Sequence, residues 1–319
     1  MGAVCATCSG YLKNTGVPAD VKPFGRVYGM YYVPLTADDG TRNSLDTSAV
    51  DLDAELLGKI NEADPSKRWY PLLDLKNVAP TEADATFETD DTNQRFKTLD
   101  GIKTMAFEKW GSTRQEFAQL EDVCVDFGVV LIDNCGNLLG EWDITNDLLY
   151  PRKVNKGSYN SNFMNATATT SSKIMIEFDY DIISSDADQY MLAASSFDLT
   201  TNDPRRLEGM IDVNISVVSV DSNTTVTLLC SYNYGTVGNL LPFLGASASD
   251  FTLYNNTADS AIAVDSISAS ATVDGQYQLT MAAGDAPTAA DEIEADIFRA
   301  ATSNDENGFE GVAVTFDAV

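Results

Sequence analysis

Val123–Asp133 (VCVDFGVVLID), Asn134–Asn137 (NCGN) and Leu138–Trp142 (LLGEW) together decide the fold class. Two apolar runs flank four residues that include Asn and Gly, types that tolerate positive φ and close tight turns. The pattern predicts an antiparallel hairpin. Lys173–Ile183 alternates Ile174, Ile176, Phe178 and Tyr180 on one face with Met175, Glu177, Asp179 and Asp181 on the other, the period of a half-buried strand. Val27–Leu35 (VYGMYYVPL) is aromatic and apolar and reads as a further strand, closed by Asp38-Asp39-Gly40.

Helical spacing is rarer. Leu52, Leu56 and Ile60 recur every four residues between Asp51 and Ala63, with Leu57 beside them, so a short helix has one apolar face and stops at Asp64-Pro65. Ser112-Thr113-Arg114-Gln115 has the form of a capping box and predicts a second helix to about Leu120, with Phe117 and Leu120 inward. Between the helices, Arg68–Pro71 introduces an extended Leu72–Val78. Ala79–Thr92 is acidic and turn-forming, and reads as an exposed loop or the tip of a long hairpin.

From Leu207 onward the texture changes. Met210–Val220, Thr224–Tyr234, Phe251–Tyr254, Ala261–Ala271, Gln276–Met281, Glu294–Arg299 and Val312–Phe316 read as short, evenly spaced strands. About seven strands in roughly 110 residues describe an immunoglobulin-sized sandwich, although Cys230 is the only cysteine there and cannot form the antibody disulfide. The fold expected is therefore mainly β. Residues 1–205 form an N-terminal antiparallel β-sandwich or barrel domain with one or two helices and an N-terminal arm. Residues 206–319 form a C-terminal immunoglobulin-like β-sandwich. Asn-Asp-Pro at 202–204 and the pair Arg205 and Arg206 mark the division.

Composition narrows the chemistry. The 319 residues contain no histidine, and 48 acidic side chains face 20 basic ones, a formal charge of −28. Without histidine the usual general base and commonest metal ligand are missing, so most hydrolase and metalloenzyme chemistry is excluded. Residues 1–206 hold 19 Lys/Arg against 32 Asp/Glu, whereas residues 207–319 hold Arg299 alone against 16 acids. Such a surface does not grip phosphate, because nucleic-acid affinity comes from Lys and Arg that release counterions.

No P-loop, GxGxxG or GxSxG pattern is present. Cys5-Ala6-Thr7-Cys8 has zinc-knuckle spacing, but Cys124 and Cys135 are too far apart in sequence to supply the usual second pair. Five cysteines outline no disulfide framework. The acid pairs Asp38/Asp39, Asp90/Asp91, Asp179/Asp181 and Asp291–Glu294 read as solvated surface, with glycoside hydrolysis by such a pair the lowest-ranked alternative. Arg152, Lys153 and Lys156, the densest basic cluster, read as partners of acidic neighbours in a subunit interface. No catalytic, cofactor-binding or metal-ligating residue is assigned, and no enzyme activity or cofactor is expected. Met1–Tyr11 does not read as a secretory signal. Val123–Ile132, broken by Asp126, falls far short of the ~20 residues that span a bilayer, so a soluble protein made in a reducing cytoplasm is expected.

Ile60–Pro71 (INEADPSKRWYP), followed by Asp126–Asp133 (DFGVVLID) and Gly136-Asn137-Leu138, resembles structural proteins of tailed bacteriophages that infect Bacteroidetes, over roughly residues 24–195. The size, the helix-interrupted β domain and the appended sandwich look most like a tail tube protein. That resemblance implies stacked homo-oligomeric rings, commonly hexameric, around a channel for DNA, with other tail proteins such as the tape measure as partners. It also implies location in the virion tail after synthesis in the host cytoplasm, and passage of DNA without specific binding or membrane contact. Residues 1–22 and Ala79–Arg95 are the candidate arms, and carboxylates lining a channel would repel phosphate. The alternatives are a capsid decoration or head fibre protein, and a carbohydrate-binding adhesin with Trp69, Trp110, Trp142, Tyr28, Tyr31 and Tyr32 as its platform.

Overall fold

The computed structural model describes residues 23–121, 123–181, 189–200, 203–236, 239–302 and 307–319. The hairpin read from the sequence is there, with Phe127–Asp133 paired to Leu138–Asp143 through Leu131↔Leu139 and Ile132↔Leu138. Gly136 takes φ +91° in the turn, a conformation that β-carbon sterics deny most residues. Val27–Pro34 lies antiparallel on the other side of Phe127–Asp133, with Tyr31 opposite Val130. All seven residues of Phe127–Asp133 are buried, because both faces of this sheet are covered.

Alternation decides which layer each side chain joins. Tyr31, Val33, Val130 and Ile132 face helix α1 (Leu52–Ile60) and pack with its Leu52, Leu56 and Ile60 and with Trp69. Met30, Tyr32, Val129 and Leu131 face the opposite way, onto Met105, Phe107, Ile174, Ile176 and Phe178 of a second sheet. The first sheet runs in the order Leu45–Asp46, Leu148–Tyr150, Leu138–Asp143, Phe127–Asp133, Val27–Pro34, Tyr70–Leu72, with Arg152–Lys153 and Gln189–Leu192 as additional partners. The second has four strands, ordered Asn160–Met164, Lys173–Asp179, Lys103–Trp110, Leu75–Glu82. Helix, large sheet and small sheet thus form three layers around two apolar seams.

Helix α1 begins as its sequence predicts, with the Asp51 carboxylate accepting from the Ala54 N–H at 3.0 Å. Helix α2 (Arg114–Glu121) requires a correction. Its cap is Thr113, whose Oγ1 accepts from the Glu116 N–H at 3.1 Å, and not Ser112. The Ser112 hydroxyl is already engaged, donating to the Lys109 carbonyl as the preceding strand turns at Gly111. Phe117 and Leu120 pack inward as the spacing predicts.

The C-terminal strands form a β-sandwich. One sheet has the order Val264–Ala269, Gln276–Met281, Thr225–Thr236, Ile211–Ser222; the other sets Phe251–Asn255 and Val314–Asp317 on either side of Glu292–Arg299. Numbered along the chain, these are strands 4-5-2-1 against 3-6-7, the immunoglobulin arrangement. Phe309–Gly311 runs parallel to the first strand, Ile211 opposite Phe309, and links the two sheets at one edge. The segment Ala261–Ala271 is not one strand. Ser260–Ile262 and Val264–Ala269 pair into opposite sheets, so the chain crosses the sandwich at Ala263.

Candidate assembly surfaces

The four-stranded sheet has two open edges among the described residues, Asn160–Met164 and Leu75–Glu82. Its inner two strands are locked into the core by Met105, Phe107, Ile174, Ile176 and Phe178. Leu75–Glu82 and Lys103–Trp110 pair from Leu75↔Lys109 to Glu82↔Lys103 and then leave the body of the protein. The Ala83 N–H donates to the Ile102 carbonyl at 2.9 Å, and Thr86–Thr89 pairs with Arg95–Leu99 beyond it. Asp90 closes the tip by accepting from the Thr92 hydroxyl at 2.7 Å and from the Thr92 and Gln94 N–H groups, each at 2.9 Å. The Thr92 hydroxyl and the Gln94 amide hold the Asp90 carboxyl below the usual range. Ala79–Thr92 is therefore one limb of a hairpin rooted at residue 75.

Every residue of Thr86–Thr89 and Arg95–Leu99 is exposed, yet the ribbon carries Phe87 (45% exposed), Phe96 (53%) and Leu99 (57%), with Ile102 (53%) at its base. Phe87 pairs with Lys97 and Glu88 with Phe96, so the two rings project from opposite faces of the ribbon. Arg95 lies 4.5 Å over the Phe87 ring. A two-stranded ribbon without a covered face is marginal in water. An apolar group on each face calls for partners on both sides.

The outward face of the four-stranded sheet is polar. Glu108 accepts from Lys173 Nζ at 2.6 Å, Trp110 Nε1 at 2.7 Å and Asn77 Nδ2 at 2.8 Å. Burial pushes its carboxyl up, but the bond from Lys173, with those from Trp110 and Asn77, outweighs burial and holds it below the usual range. Glu177 and Asp179 share this face, and a shallow depression of about 170 Å³ lies between Asn77, Ala106, Glu108, Asn160, Asn162 and Met175.

Other expectations fare differently. Trp69, Tyr31 and Tyr32 are core residues, Trp142 packs on Tyr190 at 3.5 Å between centroids, and Trp110 stands exposed, so they form no common sugar platform. The basic cluster is engaged within the chain: Arg152 lies 3.8 Å over the Tyr180 ring, Lys153 pairs with Asp181 at 2.8 Å, and Lys156 donates to the Cys124 carbonyl. The acid pairs are absorbed in turns and ion pairs, Asp39 by Lys67 at 2.8 Å, Asp179 by Thr104 at 2.6 Å and Asp291 by Asn255 at 2.9 Å. No three metal-ligating side chains converge among the described residues; Cys124 and Cys135 are free and exposed, and Cys230 is buried. Cys5, Cys8, Tyr11 and the whole N-terminal arm through residue 22 lie outside the described residues.

Sequence reasoning missed Phe87, Phe96, Leu99 and Ile102. The signal was present as two alternating runs, TFET and RFKTL, around the turn-forming DDTN. Compared with known proteins, the chain matches no family model and no curated protein.

Proposed function

We propose that this chain is a self-assembling virion structural protein, a tail tube subunit whose copies form stacked rings around a DNA channel. One observation carries the reading: a four-stranded sheet, unpaired at both edges among the described residues, runs on into a bare apolar ribbon. Open edges pair with other strands unless blocked. A head-to-tail contact that repeats on each copy closes into a ring when its rotation permits. In that ring the sheet edges join neighbours, the hairpin reaches across to an adjacent copy, and the polar outward sheet face turns to the lumen. There Glu177 and Asp179 present carboxylates, while Lys173 and Lys76 on the same face are paired with Glu108 and Asp74. DNA then slides over a surface that does not hold it.

Negative-stain microscopy of the purified chain at raised salt tests the reading. Rings or hollow tubes are expected, because salt screens repulsion between copies of charge −28 over a Debye length of about 10 Å at 0.1 M. The double variant Phe87→Ser/Phe96→Ser is expected to abolish assembly while leaving the thermal midpoint unchanged, as neither ring contributes to the core. A chain that stays monomeric at high concentration and high salt contradicts the proposal.

A further inference from the structure

The sandwich carries an open cleft of about 410 Å³ where the chain changes sheets at Ala263. Ser260–Ile262 covers the edge of Phe251–Asn255 only as far as Leu253↔Ile262, so among the described residues Phe251 and Thr252 have no strand partner on that side. The core residues Phe251, Leu253 and Ile262 therefore line the cleft, and the small side chains of Ala248, Ala261 and Ala263 complete its wall. A cavity of roughly 150 Å³ is already enough to hold a benzene ring. The surroundings of the cleft are acidic. Asp265 follows Val264 of the wall and is exposed, Asp285 accepts from the Ala263 N–H at 3.3 Å, and Asp296 stands opposite Thr252. Asp250, beside Phe251, is bonded to Arg299, the one base after residue 206.

We infer that this cleft receives Phe87 from the hairpin ribbon of a second copy, a contact that rests on the reading of the ribbon as an arm between copies. Phe87 pairs with Lys97 and Thr89 with Arg95, so these four side chains share one face of the ribbon. Arg95 lies over the Phe87 ring, and Lys97 is paired with the exposed Asp100 at the ribbon's base. Glu88 lies on the other face with Phe96, and Asp90 is turned into the tip. The Phe87 face thus presents an aromatic ring between two cations. The cleft presents an apolar slot among carboxylates, and its sandwich has no uncommitted base of its own to set against Asp265, Asp285 and Asp296. Shape and charge select the same occupant. Within one copy the ring is exposed and the cleft is open, so the two meet between copies. Such a contact joins two different surfaces of the chain, the head-to-tail kind that a ring requires.

The test uses the full chain with p-benzoylphenylalanine at position 87, which keeps an aromatic ring there and links under ultraviolet light to whatever touches it. A product of two chains is expected, with the linked peptide mapping to residues 248–253 or 261–264. Ala261→Trp fills the cleft and is expected to lower the yield of that link about tenfold while the thermal midpoint stays unchanged. Arg95→Glu/Lys97→Glu and Asp265→Lys/Asp285→Lys are each expected to lower it as well, and the two pairs combined to restore it. A link between copies that maps elsewhere overturns the inference, as does a cleft link indifferent to Ala261→Trp. Rings or tubes without the cleft link would remove this contact and keep the tube. The cleft link without rings would keep the contact and remove the tube, and folded protein that gives neither would contradict both.

Discussion

Asp133 shows how much one buried carboxylate can organise. It accepts from the Gly25 N–H at 2.9 Å, the Cys135 N–H at 2.8 Å, the Asn137 N–H at 2.9 Å and Asn137 Nδ2 at 2.6 Å. One side chain therefore closes the central hairpin and ties it to the chain entering the first strand. Burial alone would push this carboxyl up, but the bonds from Asn137, Gly25 and Cys135 outweigh it and hold it below the usual range. Asp133→Ala is expected to cost about 3 kcal/mol, since it removes charge-assisted bonds and strands their donors. A depressed carboxyl contributes stability above its unfolded pKa of about 3.9, and that contribution fades as pH falls through the lower folded value. Urea midpoints should therefore separate Asp133→Asn from the parent at pH 7 and converge towards pH 2. The turn was legible in NCGN and its glycine. The tie was not, because Gly25 lies 108 residues away and nothing in the local pattern points to it.

At the scale of elements, alternation revealed most strands because each had one apolar face, as in Lys173–Asp179. It failed where pairing, not pattern, makes the element. Asn239–Pro242 and Phe309–Gly311 are three or four residues long and exist as strands through their partners. Ala261–Ala271 read as one run because the crossing at Ala263 interrupts neither its polarity nor its small-residue content. The apolar arm stayed hidden because its acidic neighbours dominate its composition. Strand Glu292–Arg299 carries a further consequence. Asp296 is pushed up, first by burial and then by Glu310 and Glu294. A raised carboxyl favours folding below its unfolded pKa, and that advantage is lost as pH rises through the folded value. At pH 7 the ionised Asp296 thus opposes folding. Asp296→Asn should stabilise the protein by about 0.5 kcal/mol at pH 7, a figure reduced for solvent screening, and have little effect near pH 3.5. Denaturant titration at the two pH values measures the difference.

Across the whole molecule, described strands before residue 193 pair only among themselves, as do those after residue 210, so side chains must join the two halves. Arg68, 3% exposed, forks both carboxylate oxygens of Glu310, one at 2.7 Å, and its Nε donates to the Glu62 carbonyl at 2.6 Å. Asn61, at the end of α1, accepts from the Ala301 N–H at 3.0 Å. Gly308 fits beneath it only as glycine, because a β-carbon there would stand 2.3 Å from Asn61 Oδ1. None of this was legible in Ile60–Pro71, since Glu310 is 242 residues from Arg68. Removing one partner of a buried ion pair costs about 3–5 kcal/mol because the other charge is left uncompensated. The cost here falls towards the lower end, because Glu310 retains partial access to solvent. Calorimetry should give one transition for the parent chain, with both halves unfolding together. Arg68→Ala should split it into two, the sandwich and the N-terminal layers melting separately. Gly308→Ala, which wedges the same contact without touching a charge, should also split it. A single transition in both variants would mean that apolar packing at the junction, and not the Arg68 and Asn61 contacts, couples the halves.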